Sequence, residues 1–161
     1  MDVQRCVLGD GPGKWFGFTR AKAAAVKALL TRHRDAKVLV FTADNAAAYA
    51  IAREHLIMPI TCEIGRQERE RALAGFREGS LRALVSARVL NEGIDVPEAD
   101  VAIIVGGTQG EREHVQRVGR LLRPAPGKRA IVYELVTLAT SEGKRAIERR
   151  RGLAAAHTRS A

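Results

Sequence analysis

A glutamine and two arginines near the end of the sequence are spaced like residues on one face of a helix. In the segment HVQRVGRLLRP, Gln116, Arg120 and Arg123 follow one another at intervals that return to the same side of a helix. Arg117 points elsewhere, and Gly119 allows another backbone to approach closely. Guanidinium groups that project together can bind an anion bidentately across a cleft. The segment therefore predicts an anion-binding helix face, and a solvated basic face is the alternative.

A second polar segment, SARVLNEGIDVPEAD, follows a predicted buried strand. Ser86 stands where that strand ends and offers a hydroxyl and a backbone amide toward a phosphate. Gly93 permits a tight backbone, Asp95 supplies a carboxylate that could accept a sugar hydroxyl, and Pro97 stiffens the exit. Taken alone, a Gly-x-Asp-x-Pro pattern is also what a plain turn contains.

A glycine-rich segment near the start, GDGPGKW, has part of the pattern of a phosphate-binding loop. That loop requires GxxxxGK[ST] after a strand and before a helix, with a hydroxyl group that holds Mg²⁺. Here Gly9 is one residue too close to Gly13, and Trp15 replaces the hydroxyl-bearing residue. The sequence therefore shows no primary site for a nucleoside triphosphate.

The elements that must position these segments are predicted to alternate along the chain. The predicted strands are Lys37–Thr42, Ile60–Glu63, Arg82–Ala87, Asp100–Gly107 and Arg129–Val136. The predicted helices are Arg20–His33 with Thr19 as its cap, one from Asp44 or Asn45 to His55, Gly65–Arg77 with Gly79 as its stop, Glu111–Leu122 and Ser141–Arg151.

This alternation predicts an α/β fold of three layers, a mainly parallel sheet with helices on both faces. Continuous apolar runs such as KVLVFT are typical of parallel strands that are covered on both sides. Ligands of such sheets bind at the carboxyl ends of the strands, which is where the polar segments fall. We expect a lead-in or linker at residues 1–18, the domain at 19–152 and a polar tail at 153–161.

Composition indicates the kind of partner. The chain has 161 residues, of which 27 are basic and 18 acidic, and its net charge is +9. Such an excess suggests nucleic acid, while an aromatic content of 4% argues against a base-stacking platform. No apolar run approaches the roughly 18 residues that cross a bilayer, and no segment has the pattern of a signal peptide. Two cysteines and four scattered histidines lack metal-ligand spacing, so we expect a cytoplasmic protein without its own metal site.

Three segments in this order resemble the motifs of a known family. VLVFTADN, LVSARVLNEGIDVPEAD and QRVGRLLRP are similar to motifs IV, V and VI of superfamily 2 helicases and translocases, and FREG also fits. These motifs lie in the second of the two RecA-like domains that form the motor. Within the superfamily, GGTQGEREHVQRVGRLLRP and YELVTLATSEGKRAIERRR look most like XPB-type DNA helicases. The resemblance covers Thr19 to Arg151.

The resemblance implies a motor that uses ATP and Mg²⁺. In this family the first RecA-like domain carries the phosphate loop and the Asp-Glu pair that holds Mg²⁺, and that domain is the implied partner. Arg120 and Arg123 would be the arginine fingers, and Gln116 would help sense the γ-phosphate. Gly93 and Asp95 resemble the motif V pair near the nucleotide, with Asp95 at the ribose. This chain alone would then be inactive.

The resemblance also implies contacts to nucleic acid, in the first place DNA. Thr42, Ser86 and Arg88 would hold backbone phosphates, so that binding is independent of base sequence and sensitive to salt. The family often has Thr where Ser86 stands, and the hydroxyl is preserved. The alternatives are a non-catalytic α/β module that binds nucleic acid or a protein, and a small nucleotide-binding protein, against which the failed glycine loop argues.

Overall fold

The structure, a computed structural model, describes residues 2–8, 14–15, 18–87, 99–105 and 131–137. Strands and helices alternate through most of these residues. The strands are β1 (Asp2–Leu8), β2 (Lys14–Trp15), β3 (Phe18–Thr19), β4 (Val38–Thr42), β5 (Met58–Ile60), β6 (Ala83–Ala87), β7 (Val101–Ile104) and β8 (Ile131–Thr137). The helices are α1 (Arg20–Arg32), α2 (Asn45–His55) and α3 (Arg66–Glu78).

The main sheet has six strands in the order β1-β8-β7-β4-β6-β5. Every neighbouring pair in it is parallel, and β2 and β3 form a separate antiparallel pair. Because the strands run in one direction, their carboxyl ends meet at a single edge, which we call the carboxyl edge. β4, which is apolar from Val38 to Phe41, lies between β6 and β7. The predicted parallel sheet is confirmed.

Local signals set the helix ends. The hydroxyl of Thr19 accepts a hydrogen bond from the backbone N–H of Lys22 at 3.3 Å and caps α1. Asp44 caps α2, since its Oδ1 accepts from the N–H of Ala47 at 2.8 Å. α3 ends at Gly79, which has a φ of 86° that glycine adopts without strain. These three positions match the helix boundaries that the sequence predicts.

The two faces of the sheet carry separate hydrophobic cores. Val38 and Val40 pack with residues of α1 and α2 on one face. Leu39 and Phe41 pack with Ala72, Leu73 and Phe76 of α3 on the other face. Alternate residues of one strand therefore pack against the helices on opposite faces of the sheet. This confirms the three-layer architecture for the described residues.

The structure departs from the sequence prediction at two strands. Asp2–Leu8, which the sequence analysis includes in a lead-in or linker, forms a strand that pairs with β8 along its whole length. The strand expected at Ile60–Glu63 lies earlier, at Met58–Ile60. The helices expected at Glu111–Leu122 and Ser141–Arg151 lie outside the described residues, and the domain boundaries stay predictions. None of the described helices combines the length and apolar character that crossing a membrane requires.

Candidate functional site

The three motif-bearing segments leave the sheet from adjacent central strands. Thr42 ends β4, Ala87 ends β6, and Ile104 ends β7, and these three strands are neighbours. The chain therefore departs from all three at the carboxyl edge, toward α2, residues 88–98 and residues 106–130 respectively. This arrangement makes the carboxyl edge the candidate functional site, as the rule for α/β sheets predicts.

Six of the predicted site residues lie outside the described part of the chain. Their roles stay predictions, and the structure fixes only the strand end from which each segment starts. Three follow β6 and three follow β7: Arg88, Gly93 and Asp95, and then Gln116, Arg120 and Arg123.

Thr42 is placed at the edge but its side chain is largely covered, with 5% exposed. Its Oγ1 donates to the carbonyl oxygen of Asp44 at 2.9 Å and, across to the neighbouring strand, to the carbonyl oxygen of Ser86 at 3.4 Å. The hydroxyl therefore joins the end of β6 to the residue that caps α2. A short polar side chain at the end of a strand commonly makes such backbone bonds.

The residue that caps α2, Asp44, brings a negative charge to the start of this helix. The Asp44 carboxylate accepts from Ala47, and its carbonyl accepts from the N–H of Ala48 at 3.2 Å. A carboxylate at this position is stabilised by the helix dipole and occupies part of the field that would otherwise attract an anion. A phosphate that approaches this turn must do so beside that charge.

Ser86 is more deeply buried than Thr42 and lies on the opposite face. It is paired with Phe41 and Ile60, which both pack into the core under α3, whereas Thr42 is paired with Ala87 on the other face. Its side chain is 2% exposed, and among the described residues its Oγ has no hydrogen-bond partner. The two hydroxyls predicted to contact nucleic acid thus share an edge without sharing a face.

A group of polar contacts next to this site was not foreseen from the sequence. The Asn45 side-chain amide donates to Glu63 Oε1 at 2.8 Å and to Cys62 Sγ at 3.4 Å. Nearby, Tyr49 and Thr61 share a hydrogen bond of 2.9 Å between their hydroxyls. These bonds fasten the start of α2 to the loop after β5. The available signal was that Asn45 opens a helix and Glu63 follows a strand, which places both at one edge.

The imidazole of His33, at the end of α1, has a lowered pKa and a hydrogen-bond partner in β8. His33 Nε2 lies 2.9 Å from the hydroxyl of Tyr133, and the two rings are 5.4 Å apart between centroids. Burial, and then the positive charge of Arg32, lower the pKa of His33 below its usual value of 6.5. This pair joins the end of α1 to β8, so we assign it to stability.

The chemistry available in the described residues is that of a binding edge. Within residues 2–8, 14–15, 18–87, 99–105 and 131–137, no group of three His, Cys, Asp or Glu side chains is arranged to hold a metal ion. In the part of the chain that the structure describes, this edge presents hydroxyls, backbone carbonyls, the N-terminus of α2 and the carboxylates of Asp44 and Glu63. Such groups can position a ligand.

The chain matches one known protein family and is similar to individual proteins of known name. The family described as helicase conserved C-terminal domain matches residues 21–125. The chain is similar to DNA 3'-5' translocase XPB2 of Sulfurisphaera tokodaii, with 36% identity over 132 residues that cover 82% of this chain and 30% of the relative. It is similar to DNA 3'-5' helicase XPB of Mycobacterium tuberculosis, with 39% identity over 135 residues that cover 83% of this chain and 25% of the relative.

A solved structure supports the architecture. The C-terminal domain of the DEAD-box protein Dbp5 matches with a TM-score of 0.67 and 20% identity, over 85% of this chain and 78% of that one. Likeness at this level of identity concerns the fold alone, and it confirms the predicted RecA-like layers. The chain spans 25% to 30% of the length of these two curated relatives.

Proposed function

This chain belongs to the helicase conserved C-terminal domain family, and we propose that it is the second RecA-like domain of an ATP-dependent DNA helicase or translocase. The observation that carries the proposal is the departure of the three motif-like segments from adjacent strands, β4, β6 and β7, at one edge. The choice of DNA is supported by the names of the two curated relatives, a DNA translocase and a DNA helicase. Both relatives are of the XPB type, as is the resemblance of the sequence.

ATP and Mg²⁺ are proposed to be held mainly by the first RecA-like domain of the parent protein. The described residues contain no candidate metal group, and the sequence lacks the GxxxxGK[ST] pattern. We therefore place the triphosphate on the first domain, with this chain contacting it from the other side of the cleft between the two domains. Mg²⁺ bound by the first domain would neutralise phosphate charge there. From this chain, Arg120 and Arg123 would neutralise the charge that develops in the transition state.

The remaining contacts would fix the nucleotide and the DNA. Gln116 is proposed to sense the γ-phosphate, and Asp95, with Gly93 beside it, to accept a ribose hydroxyl. DNA would be held through its backbone by Ser86 and Arg88. The third residue predicted for this contact, Thr42, instead donates its hydroxyl proton to the carbonyl oxygens of Asp44 and Ser86. Phosphate contacts carry no base sequence information, which suits a motor that moves along any strand.

The arginine assignment is tested in a parent protein that contains both RecA-like domains. We expect Arg120→Ala and Arg123→Ala each to lower the DNA-stimulated rate of ATP hydrolysis by about 10³-fold or more, because arginine fingers contribute about 10³–10⁵. Arg66→Ala, on the exposed surface of α3, is the control and is expected to change the rate by less than about twofold, as exposed charges contribute little. Steady-state phosphate release with and without DNA measures both.

Normal hydrolysis by the two finger variants would show that the assignment of Arg120 and Arg123 is wrong. DNA binding by a parent protein that hydrolyses no ATP would instead indicate a non-catalytic binding module.

A further inference from the structure

The two acceptors of the Thr42 hydroxyl belong to segments with different proposed roles. Ser86 is followed within two residues by the segment that holds Gly93 and Asp95, which are proposed to contact the nucleotide. Asp44 begins α2, which starts from the strand of motif IV. A single side chain thus connects the strand end on the nucleotide side to the neighbouring helix start.

The connection continues beyond α2. Asn45 follows Asp44 directly and reaches Glu63 and Cys62 in the loop after β5. Hydrogen bonds therefore run across the carboxyl edge from β6 through β4 to the loop that precedes α3. β4 and β6 are also paired through their backbones, and Thr42 is the member of this line whose side chain reaches β6, at the carbonyl oxygen of Ser86.

The hydroxyl proton of Thr42 already takes part in hydrogen bonds within the chain. A threonine hydroxyl has one proton to donate, and phosphate oxygens of DNA or ATP only accept. That proton is shared between the carbonyl oxygens of Asp44 and Ser86 in a side chain that is almost wholly buried. Donating to a phosphate would break both bonds and leave two carbonyls without this donor.

We propose that Thr42 is a positioning residue, whose hydroxyl holds the carboxyl end of β6 against the start of α2 and so fixes where the nucleotide-contacting segment begins. The assignment rests on the proposed function and refines it: Thr42 acts on the nucleotide through the backbone of Ser86. A contact that is the same in ground state and transition state affects KM and leaves kcat unchanged. Thr42 is therefore expected to act on the KM for ATP.

The test uses the full parent protein with both domains, carrying Thr42→Val, Thr42→Ser or Thr31→Val. Valine keeps the shape of Thr42 and removes the donor, whereas serine keeps the hydroxyl. Thr31→Val is the matched control, because the Thr31 hydroxyl also donates to a backbone carbonyl, that of Lys27 at 2.9 Å, but on the exposed surface of α1. The measurements are KM and kcat for ATP, and the Kd for DNA without nucleotide.

For Thr42→Val we expect the KM for ATP to rise about fivefold, the size of one lost neutral hydrogen bond, with kcat and the DNA Kd within about twofold of the unsubstituted protein. Thr42→Ser and Thr31→Val should leave all three within about twofold. Thr42→Cys, with a thiol that donates weakly, should shift KM in the same direction as valine and covers the case in which valine impairs folding.

A weakened DNA Kd with an unchanged KM would overturn the assignment, because it would show a direct contact to nucleic acid. Equal loss in all three quantities would also overturn it, since that is the pattern of a general structural defect. An unchanged KM in both the valine and the cysteine variant would do the same. Failure of the unsubstituted parent protein to hydrolyse ATP overturns the proposed function itself, which separates the two failures.

Discussion

The protonation state of the His33 imidazole is linked to the stability of the folded chain. Its imidazole pairs with the hydroxyl of Tyr133, a residue of β8 that is 2% exposed. Burial lowers the pKa of His33 in the folded chain, and it does the same for His55 at the end of α2. Both histidines therefore favour the neutral form when the chain is folded.

The chain is expected to lose stability as pH falls below about 6.5, because the unfolded state then binds protons that folded His33 and His55 resist. The contribution of each group is fully present above its unfolded pKa and is lost as pH falls through the folded value. Replacing His33 with glutamine, which can still bond to Tyr133, should make the dependence shallower. Urea unfolding between about pH 7.5 and 5.5 measures this slope, and an identical slope in the variant would contradict the role of His33.

Some properties of single residues could be predicted from the sequence and others could not. The position of Thr42 and Ser86 at strand ends followed from the apolar runs that precede them. The face on which each lies did not, because strands such as VLVFT are buried on both sides and show no alternation. The contact of Asn45 with Glu63 depends on how α2 packs beside β5, which no local pattern encodes.

At the scale of elements, the helices α2 and α3 both end at a residue in the left-handed backbone conformation, which is leucine in one helix and glycine in the other. α3 ends at Gly79 with φ at 86°, and α2 ends at Leu56 with φ at 53°. Leu56 is also 93% exposed, so its side chain gains little from packing. The left-handed backbone penalises leucine and not glycine.

Exchanging these residues should move stability in opposite directions. We expect Leu56→Gly to raise the free energy of unfolding by about 0.5–1 kcal/mol, and Gly79→Ala to lower it by about 1 kcal/mol. A Cβ at Gly79 would meet no atom within 4 Å, so the loss there reports backbone conformation alone. Denaturant midpoints of the two variants provide the measurement, and a stabilising Gly79→Ala would contradict the explanation.

Helix ends were predictable because their signals are local, whereas strand positions depended on distant partners. Thr19, Asp44 and Gly79 are ordinary capping residues and marked their helices correctly. β5 begins before the position that the sequence predicts and includes Pro59, a residue that is tolerated on an edge strand such as β5. β1 was missed since its pairing with β8 is what defines it.

At the scale of the whole molecule, the proposed division of labour predicts what this chain does without its partner domain. The isolated chain should hydrolyse ATP at a negligible rate and bind DNA weakly, with the logarithm of the affinity falling linearly with the logarithm of salt concentration. Titrating labelled DNA at several salt concentrations, and measuring phosphate release from the same preparation, tests both statements. Robust ATP hydrolysis by these 161 residues would mean that a complete active site lies within them.

Fold class was the most predictable property at this scale. Strands and helices that alternate must cross over to pair in parallel, and the observed sheet is parallel throughout. The strand order was not predictable in the same way, because it depends on which apolar surfaces fit together across long separations in the chain.

β1, at one border of the described six-stranded sheet, is the first of these six strands along the chain, and its neighbour β8 is the last. Asp2 pairs with Ile131 and Leu8 with Thr137, so the ribosome must deliver residues 131–137 before β1 can join. Closing so long a loop costs chain entropy, and distant parallel pairings form slowly. A nascent chain therefore carries β1 before its partner strand has been made, with backbone amide and carbonyl groups that no other strand pairs. Chaperones bind chains in this state, and another unfinished copy of the chain can pair with the exposed strand.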